Sequence, residues 1–132
     1  MYLLDTNICI YAINKKPAVV LNALRENADK GIYISSLTVA ELAYGIENSL
    51  HIEKNRIALL KFLSIFTILN FDDADAVQYG RLKARLKKEG KLIGPIDMLL
   101  AAQAMDKDLT LVTNDTAEFR RIHGLRVEDW TA

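Results

Sequence analysis

The sequence of 132 residues contains one cysteine and two histidines. Cys9 therefore has no partner for an intramolecular disulfide. His51 and His123 lie too far apart in the chain to give, with Cys9, a spacing typical of a zinc site. These absences exclude a disulfide scaffold and a zinc module, and they favour a reducing, cytoplasmic setting.

Net charge and long hydrophobic runs are also lacking. Seventeen Lys and Arg residues balance seventeen Asp and Glu residues, so any nucleic-acid site must come from local clustering of charge. The longest uncharged stretch that looks membrane-like, Phe62–Phe71, has about ten residues, whereas a membrane-spanning helix needs roughly 20. Asp5 interrupts the apolar start of the chain, so we expect neither a signal-peptide core nor a membrane contact.

Several common chemistries lack their motifs. The six glycines give no phosphate-binding loop and no dinucleotide fingerprint, and there is no Gly-x-Ser-x-Gly nucleophile elbow. An aspartyl-phosphate phosphatase would begin with a similar apolar strand followed by Asp5. Such enzymes usually carry a second Asp two residues later, where this chain has Asn7.

Short β-rich runs alternate along the chain with longer stretches at helical spacing. The predicted strands are Tyr2–Leu4, Ile32–Ile34, Phe66–Leu69, Leu109–Val112 and a last short one at Arg126–Glu128. The predicted helices are Val19–Glu26, Val39–Asn48, Glu53–Leu63, Ala74–Lys88 and Ile96–Met105. Because the first four strands are apolar throughout, we expect both their faces to be covered. The pattern predicts one α/β domain over residues 1–132, with a short, mostly parallel sheet.

Asp5 and Asp115 each follow a predicted strand, which is where ligands bind in a parallel sheet. Both have a purely local explanation as well. Asp5 could end its strand in an Asx turn. Asp115 or Asn114 could cap a helix, with Glu118 completing a capping box.

Asp97 lies in the first turn of a predicted helix that is apolar nearly all round and should therefore be buried. The helix dipole stabilises an ionised carboxylate there by only ~0.3–1 kcal/mol, less than the cost of burying it unpaired. We therefore expect a cationic group to compensate Asp97. Glu41 lies at the margin of an apolar helical stripe, where a glutamate is usually solvated.

Together these acids predict a carboxylate pocket, because none has a matching basic residue nearby in sequence. Like charges a few ångströms apart cannot all stay ionised unaided. A divalent cation would resolve the conflict, and hard oxygen ligands favour Mg²⁺ or Mn²⁺ over zinc. Such a site is suited to metal-assisted hydrolysis of a phosphodiester.

Positive charge is concentrated between residues 81 and 91, where Glu89 is the one acid. The basic residues are Arg81, Lys83, Arg85, Lys87, Lys88 and Lys91. Such a run is usually a solvated helix face. Here it leads directly towards Asp97, so it is also the arrangement expected where an RNA backbone is held beside a metal site.

Four motifs in this order resemble the PIN-domain ribonucleases. They are Leu3-Leu4-Asp5-Thr6-Asn7, Ser35-Ser36 through Ala40-Glu41-Leu42, Ile93-Gly94-Pro95-Ile96-Asp97, and Thr113-Asn114-Asp115 with Phe119. Length and motif order are similar to those of the VapC toxins of VapBC toxin–antitoxin systems. The resemblance implies a three-layer α/β/α fold and an acidic quartet that binds one or two Mg²⁺ or Mn²⁺ ions. The quartet is Asp5, Glu41, Asp97 and Asp115, with Asn114 or Glu118 able to share the fourth position, and with Thr6, Asn7, Thr113 and Asn114 as supporting groups.

The resemblance also implies partners. Family members usually form homodimers and are neutralised by an antitoxin, through which the pair binds operator DNA. The segments Gly90–Gly94 and Asp129-Trp130 are similar to those of members that cut the anticodon stem-loop of initiator tRNA. We therefore expect a Mg²⁺-dependent endoribonuclease toxin that cleaves tRNA. The alternatives are another metal-dependent nuclease, a phosphatase, or a non-catalytic module that holds a partner peptide.

Overall fold

The computed structural model, which describes residues 1–131, contains one five-stranded sheet. Its strands are β1 (Tyr2–Leu4), β2 (Ile32–Ser35), β3 (Thr67–Leu69), β4 (Thr110–Val112) and β5 (Val127–Glu128). Their order is β3-β2-β1-β4-β5, and every neighbouring pair is parallel. The α/β prediction is confirmed, and the sheet is parallel throughout rather than mostly so.

Seven α-helices surround the sheet in the described residues. They are α1 (Thr6–Asn14), α2 (Ala18–Asn27), α3 (Ser36–Glu47), α4 (Ile52–Leu63), α5 (Asp73–Lys88), α6 (Pro95–Asp106) and α7 (Thr116–Phe119). Helices α2 to α6 were predicted to within a few residues at each end, whereas α1 was not predicted. None of the helices in residues 1–131 has the length and apolar character needed to cross a bilayer.

The sheet separates two hydrophobic cores, which gives the predicted three layers. Leu3 of β1 points to the core built by α5 and α6, whereas its neighbour Leu4 points to the core built by α1 to α4. This alternation is the usual consequence of the strand pleat. Coverage on both faces was wrong for β3: Thr67 and Ile68 are exposed because β3 is an edge strand.

Helices α5 and α6 pack antiparallel, and a charged cluster joins them at one end. Lys107, directly after α6, places its ammonium nitrogen 2.7 Å from Asp72, 2.9 Å from Asp75 and 2.7 Å from Asp106. Asp72 and Asp75 form a capping box at the start of α5. The opposite end of the pair therefore brings the basic end of α5 towards Asp97 in the first turn of α6.

Candidate active site

Asp5 follows β1 and is the N-cap of α1, where its side chain accepts a hydrogen bond of 3.0 Å from the Ile8 N–H. Only 7% of Asp5 is exposed. Burial raises the pKa of Asp5 to about 6; hydrogen bonds from Thr113 and Ile8 oppose this rise, and the negative charges of Asp97 and Asp115 add to it. Asp5 therefore caps a helix and also faces other carboxylates.

Three further carboxylates meet beside Asp5. Asp97, Asp115 and Glu118 each offer an oxygen within 4.8 Å of the others. Glu118, in α7, accepts a 3.2 Å hydrogen bond from the Gly94 N–H at the start of α6. A hydrogen bond with Asp115, burial, and the charges of Asp97 and Asp115 raise the pKa of Glu118 to about 7. The Glu118 side chain therefore links α7 to the start of α6.

The N-cap position expected for Asp115 is confirmed, but the expected capping box does not form. Asp115 occupies the N-cap position of α7, but its side chain accepts no capping hydrogen bond. Glu118, which was expected to be able to share the fourth position of the acidic quartet, lies in the cluster with Asp115 and Asp97. The sequence contained one signal for this, because residues three apart lie on the same side of a helical turn.

Glu41 lies on α3, is exposed, and accepts a hydrogen bond from the Thr6 hydroxyl. Thr6 directly follows Asp5, so this bond holds Glu41 beside the start of α1. Burial is the main cause of a raised pKa at Asp97, and the negative charge of Glu41 contributes. The four residues of the predicted quartet are therefore brought to one edge of the sheet.

The predicted supporting residues differ in their contacts. Thr113 is fully buried, its hydroxyl opposes the rise in the pKa of Asp5, and it accepts a 2.9 Å bond from the Asp115 N–H. Asn114 donates a 3.1 Å hydrogen bond to the Tyr11 hydroxyl. Asn7 is exposed, and its side chain has no hydrogen bond within residues 1–131. Thr113 therefore contacts a site residue, whereas the Asn114 side chain contacts Tyr11, and a supporting role for either residue stays a prediction.

The cation expected beside Asp97 is not supplied by residues 1–131. In that part of the chain, no salt bridge involves any of the five site carboxylates. The other group of three carboxylates, at Asp72, Asp75 and Asp106, already holds the Lys107 ammonium. A set of hard oxygen donors with no cation of its own, in which the pKa values of Asp5, Asp97 and Glu118 are raised, fits a divalent ion such as Mg²⁺.

The six basic residues between positions 81 and 91 differ in their exposure and in their contacts. Five of them are exposed: Arg81, Lys83, Lys87, Lys88 and Lys91. Arg85 is half-buried and donates a 3.1 Å hydrogen bond from Nη2 to the carbonyl oxygen of His123, so it anchors a loop. Lys87 and Lys88 end α5, at the same end of the helix pair as Asp97.

The raised pKa values lead to a prediction for the metal-free protein. In EDTA, we expect the free energy of unfolding to fall as pH rises from about 4 to about 7. The folded state holds protons on Asp5 and Glu118 that the unfolded chain has already released, so this stabilisation is complete below the unfolded pKa values and is lost as pH passes about 6 and then about 7. For Asp5 alone the loss is on the order of 3 kcal/mol.

Urea titrations across this pH range measure the effect. Asp5→Asn should flatten the slope, because that side chain no longer titrates. The pKa values of Asp72 and Asp106 are lowered, chiefly by hydrogen bonds with Lys107, and therefore act in the opposite direction, but below about pH 4. Unfolding free energies that rise between pH 5 and pH 7 would contradict this prediction.

Comparison with known proteins gives a consistent result. The family profile described as PIN domain matches residues 2–125. Ribonuclease VapC2 of Haemophilus influenzae is 46% identical over 129 residues, covering 98% of this chain and 97% of that protein. The tRNA(fMet)-specific endonuclease VapC of Shigella flexneri is 42% identical over 130 residues, covering 98% of both chains. A chain in the crystal structure of VapBC2 from Rickettsia felis, bound to a promoter DNA fragment, superposes with a TM-score of 0.92, at 42% identity and 98% coverage of each chain.

Proposed function

This chain belongs to the PIN-domain family and, within it, to the VapC proteins, and from that premise we propose that it is a Mg²⁺-dependent endoribonuclease, the toxin of a type II toxin–antitoxin pair. One observation carries the proposal. Asp5, Asp97, Asp115 and Glu118 converge at the carboxyl edge of the sheet, with Glu41 beside them, and no salt bridge in residues 1–131 neutralises them. Carboxylates that repel one another in this way are a binding site for a hard cation.

The site residues divide the work. Asp5, Glu41, Asp97, Asp115 and Glu118 would hold the ion. A bound Mg²⁺ supplies Lewis-acid chemistry, polarising a phosphoryl oxygen and making a water molecule more acidic. The Ile8 N–H orients the Asp5 carboxylate, the Thr6 hydroxyl orients Glu41, and the Thr113 hydroxyl holds the backbone N–H of Asp115. Hydrolysis adds the water oxygen to phosphorus and breaks the bond to O3′, which takes the proton, so the products carry 5′-phosphate and 3′-hydroxyl ends.

The substrate we propose is tRNA, with the anticodon stem-loop of initiator tRNA first. The name of the Shigella flexneri relative supports this choice, as do exposed Lys87, Lys88 and Lys91 at the Asp97 end of the helix pair. Trp130 is buried and packs edge-on against Tyr2, with ring centroids 5.0 Å apart, so it contributes to the packing of the fold.

Cleavage assays with mapped ends test the function. Purified protein is incubated, with Mg²⁺ or with EDTA, with initiator tRNA, other tRNAs, duplex DNA and a phosphomonoester. We expect cleavage of tRNA only with Mg²⁺, with Mn²⁺ able to substitute, and 5′-phosphate products. Ends bearing 2′,3′-cyclic phosphate would overturn attack by water. Turnover of DNA or of the phosphomonoester alone would replace the function with one of the alternatives.

The partner we propose is a VapB-type antitoxin, which would connect the toxin to operator DNA in the cytoplasm. An apolar cavity of about 320 Å³ adjoins the acidic site, because Thr6 and Glu41 line it together with Ile10, Leu42 and Leu59. Its chemistry fits an apolar segment of the antitoxin. We propose that the toxin itself forms a homodimer, which light scattering with and without the antitoxin would measure.

The lysines at the end of α5 give a further prediction. Replacing Lys87 and Lys88 with alanine should weaken RNA binding and leave the scissile bond unchanged, because lysine–phosphate pairs carry no sequence information. The slope of log K against log[salt] should become shallower by about 0.7–0.9 for each phosphate that the variant no longer neutralises. Lys61→Ala is the matched control, since Lys61 is exposed on α4, on the other side of the sheet. An unchanged salt slope in the double variant would leave these lysines as a solvated face.

A further inference from the structure

Tyr11, in the second half of α1, makes a long-range hydrogen bond that the roles above do not use. Asn114 Nδ2 donates this bond to the Tyr11 hydroxyl oxygen over 3.1 Å, across 103 positions of sequence. Helix α1 begins at its N-cap Asp5, and Asn114 directly precedes Asp115. The bond therefore connects the helix that is capped by one site carboxylate to the segment that carries another.

A second hydrogen bond joins the same two segments. The Asp5 N–H donates a 2.9 Å bond to the carbonyl oxygen of Val112, and the Oγ1 of Thr113, next to Asn114, accepts the Asp115 N–H. The two contacts close a ring that runs from Asp5 along α1 to Tyr11, across to Asn114, and back through Thr113 and Val112 to the Asp5 N–H. A single contact would let the segments pivot about it, whereas two separated contacts fix their relative orientation.

The Asn114 amide depends on this one contact. Within residues 1–131, its Oδ1 is buried and has no hydrogen-bond partner, so the bond to the Tyr11 hydroxyl is the one side-chain bond that holds the amide. The aromatic ring of Tyr11 packs against the core that α1 to α4 build. Tyr11→Phe would therefore keep the packing of the ring and remove the acceptor that orients Asn114.

We propose that Tyr11 is a positioning residue that acts through Asn114 to set the separation of the Asp5 and Asp115 carboxylates, and with it the affinity of the site for a divalent cation. This inference rests on the proposed function, in which those acids hold Mg²⁺ or Mn²⁺. Metal sites require ligand distances correct to about 0.2 Å. Removing a group that orients a ligand typically lowers metal affinity by about 10–100-fold.

A double-mutant cycle with Mn²⁺ as the probe tests the proposal. Binding to the full-length chain is measured from the electron paramagnetic resonance signal of free Mn²⁺, which needs no RNA and no turnover. We expect Tyr11→Phe and Asn114→Ala each to raise the dissociation constant about 10-fold or more. The double variant should be no weaker than the weaker single variant, since both changes break the same hydrogen bond. Tyr33→Phe is the matched control, because Tyr33 is also half-buried and its hydroxyl contacts only the Met1 sulfur, at 3.7 Å, among residues 1–131.

The outcomes separate this inference from the proposed function. Wild-type affinity in Tyr11→Phe overturns the role of Tyr11, and so do fully additive effects in the double variant. Failure of the wild type to bind Mn²⁺ overturns the proposed function and this inference together. Circular dichroism in EDTA verifies that each variant is folded. If Tyr11→Phe does not fold, Asn114→Ala alone decides, and wild-type Mn²⁺ affinity in that variant also overturns the proposal.

Discussion

Replacing Asp5 with alanine is expected to lower the rate of RNA cleavage by at least about 100-fold, because groups that merely orient a metal ligand already contribute 10–100-fold. Asp5 is the most buried of the site carboxylates, and it alone lies between β1 and α1. Growth arrest on expression of the protein should disappear with the cleavage. The measurements are initial rates of tRNA cleavage in Mg²⁺ and growth curves after induction.

Asp5→Asn separates a loss of chemistry from a damaged fold. An asparagine oxygen can still accept the Ile8 N–H, so the cap of α1 is retained, whereas alanine loses a cap worth about 0.5–2 kcal/mol. Both variants should be inactive. In EDTA, the free energy of unfolding of the asparagine variant should be at least as large as that of the wild type. Growth arrest that survives either substitution would show that toxicity comes from binding a partner and not from cleavage.

Asp97→Asn is expected to abolish cleavage while leaving the metal-free protein as stable as the wild type or more so. The change removes one of several carboxylates that repel one another, with Glu41 and Asp115 among its neighbours. The wild type should gain stability on addition of Mg²⁺, by about 2.7 kcal/mol at 100 times the dissociation constant, and the variant should gain much less. Thermal melts in EDTA and in Mg²⁺ measure both effects.

The charged cluster at Lys107 provides a matched control for this experiment. Asp75→Asn makes the same chemical change in another group of three carboxylates, but there a lysine already balances the charge. Asp75 is fully buried, so that variant should lose stability in EDTA and keep its cleavage activity. An Asp97→Asn protein that melts clearly below the wild type in EDTA would instead make Asp97 a member of a structural pair.

The sequence predicted most of the regular structure because buried strands leave short apolar runs and amphipathic helices leave periodic patterns. It did not predict α1, because Ile8, Cys9 and Ile10 form a short apolar run a few residues after β1, and such a run does not distinguish helix from strand. The sequence did not predict the exposure of β3 either. Whether an apolar strand is central or at an edge depends on strand order, which local sequence does not encode.

The acidic residues show a similar division. Asp5 and Asp97 could be picked out from their positions after a strand and at the start of a buried helix. The cation predicted for Asp97 is not provided by the described chain. Local sequence patterns do not show which acidic residues will form a salt bridge with a lysine once the chain is folded. Asp75 found Lys107, and Asp97 did not. The hydrogen bond between Tyr11 and Asn114 spans 103 positions of sequence, and no motif in either segment indicates it.

At one end of the α5–α6 pair, the Lys107 ammonium counters the charge of clustered carboxylates. At the other end, a metal ion from solution would do the same. Because Lys107 is covalently attached, its occupancy does not depend on the magnesium supply of the cell, and the two helices are fastened before any ion arrives. Removing the ion should consequently abolish the activity and leave the protein folded. Returning the ion should restart it with no need to refold.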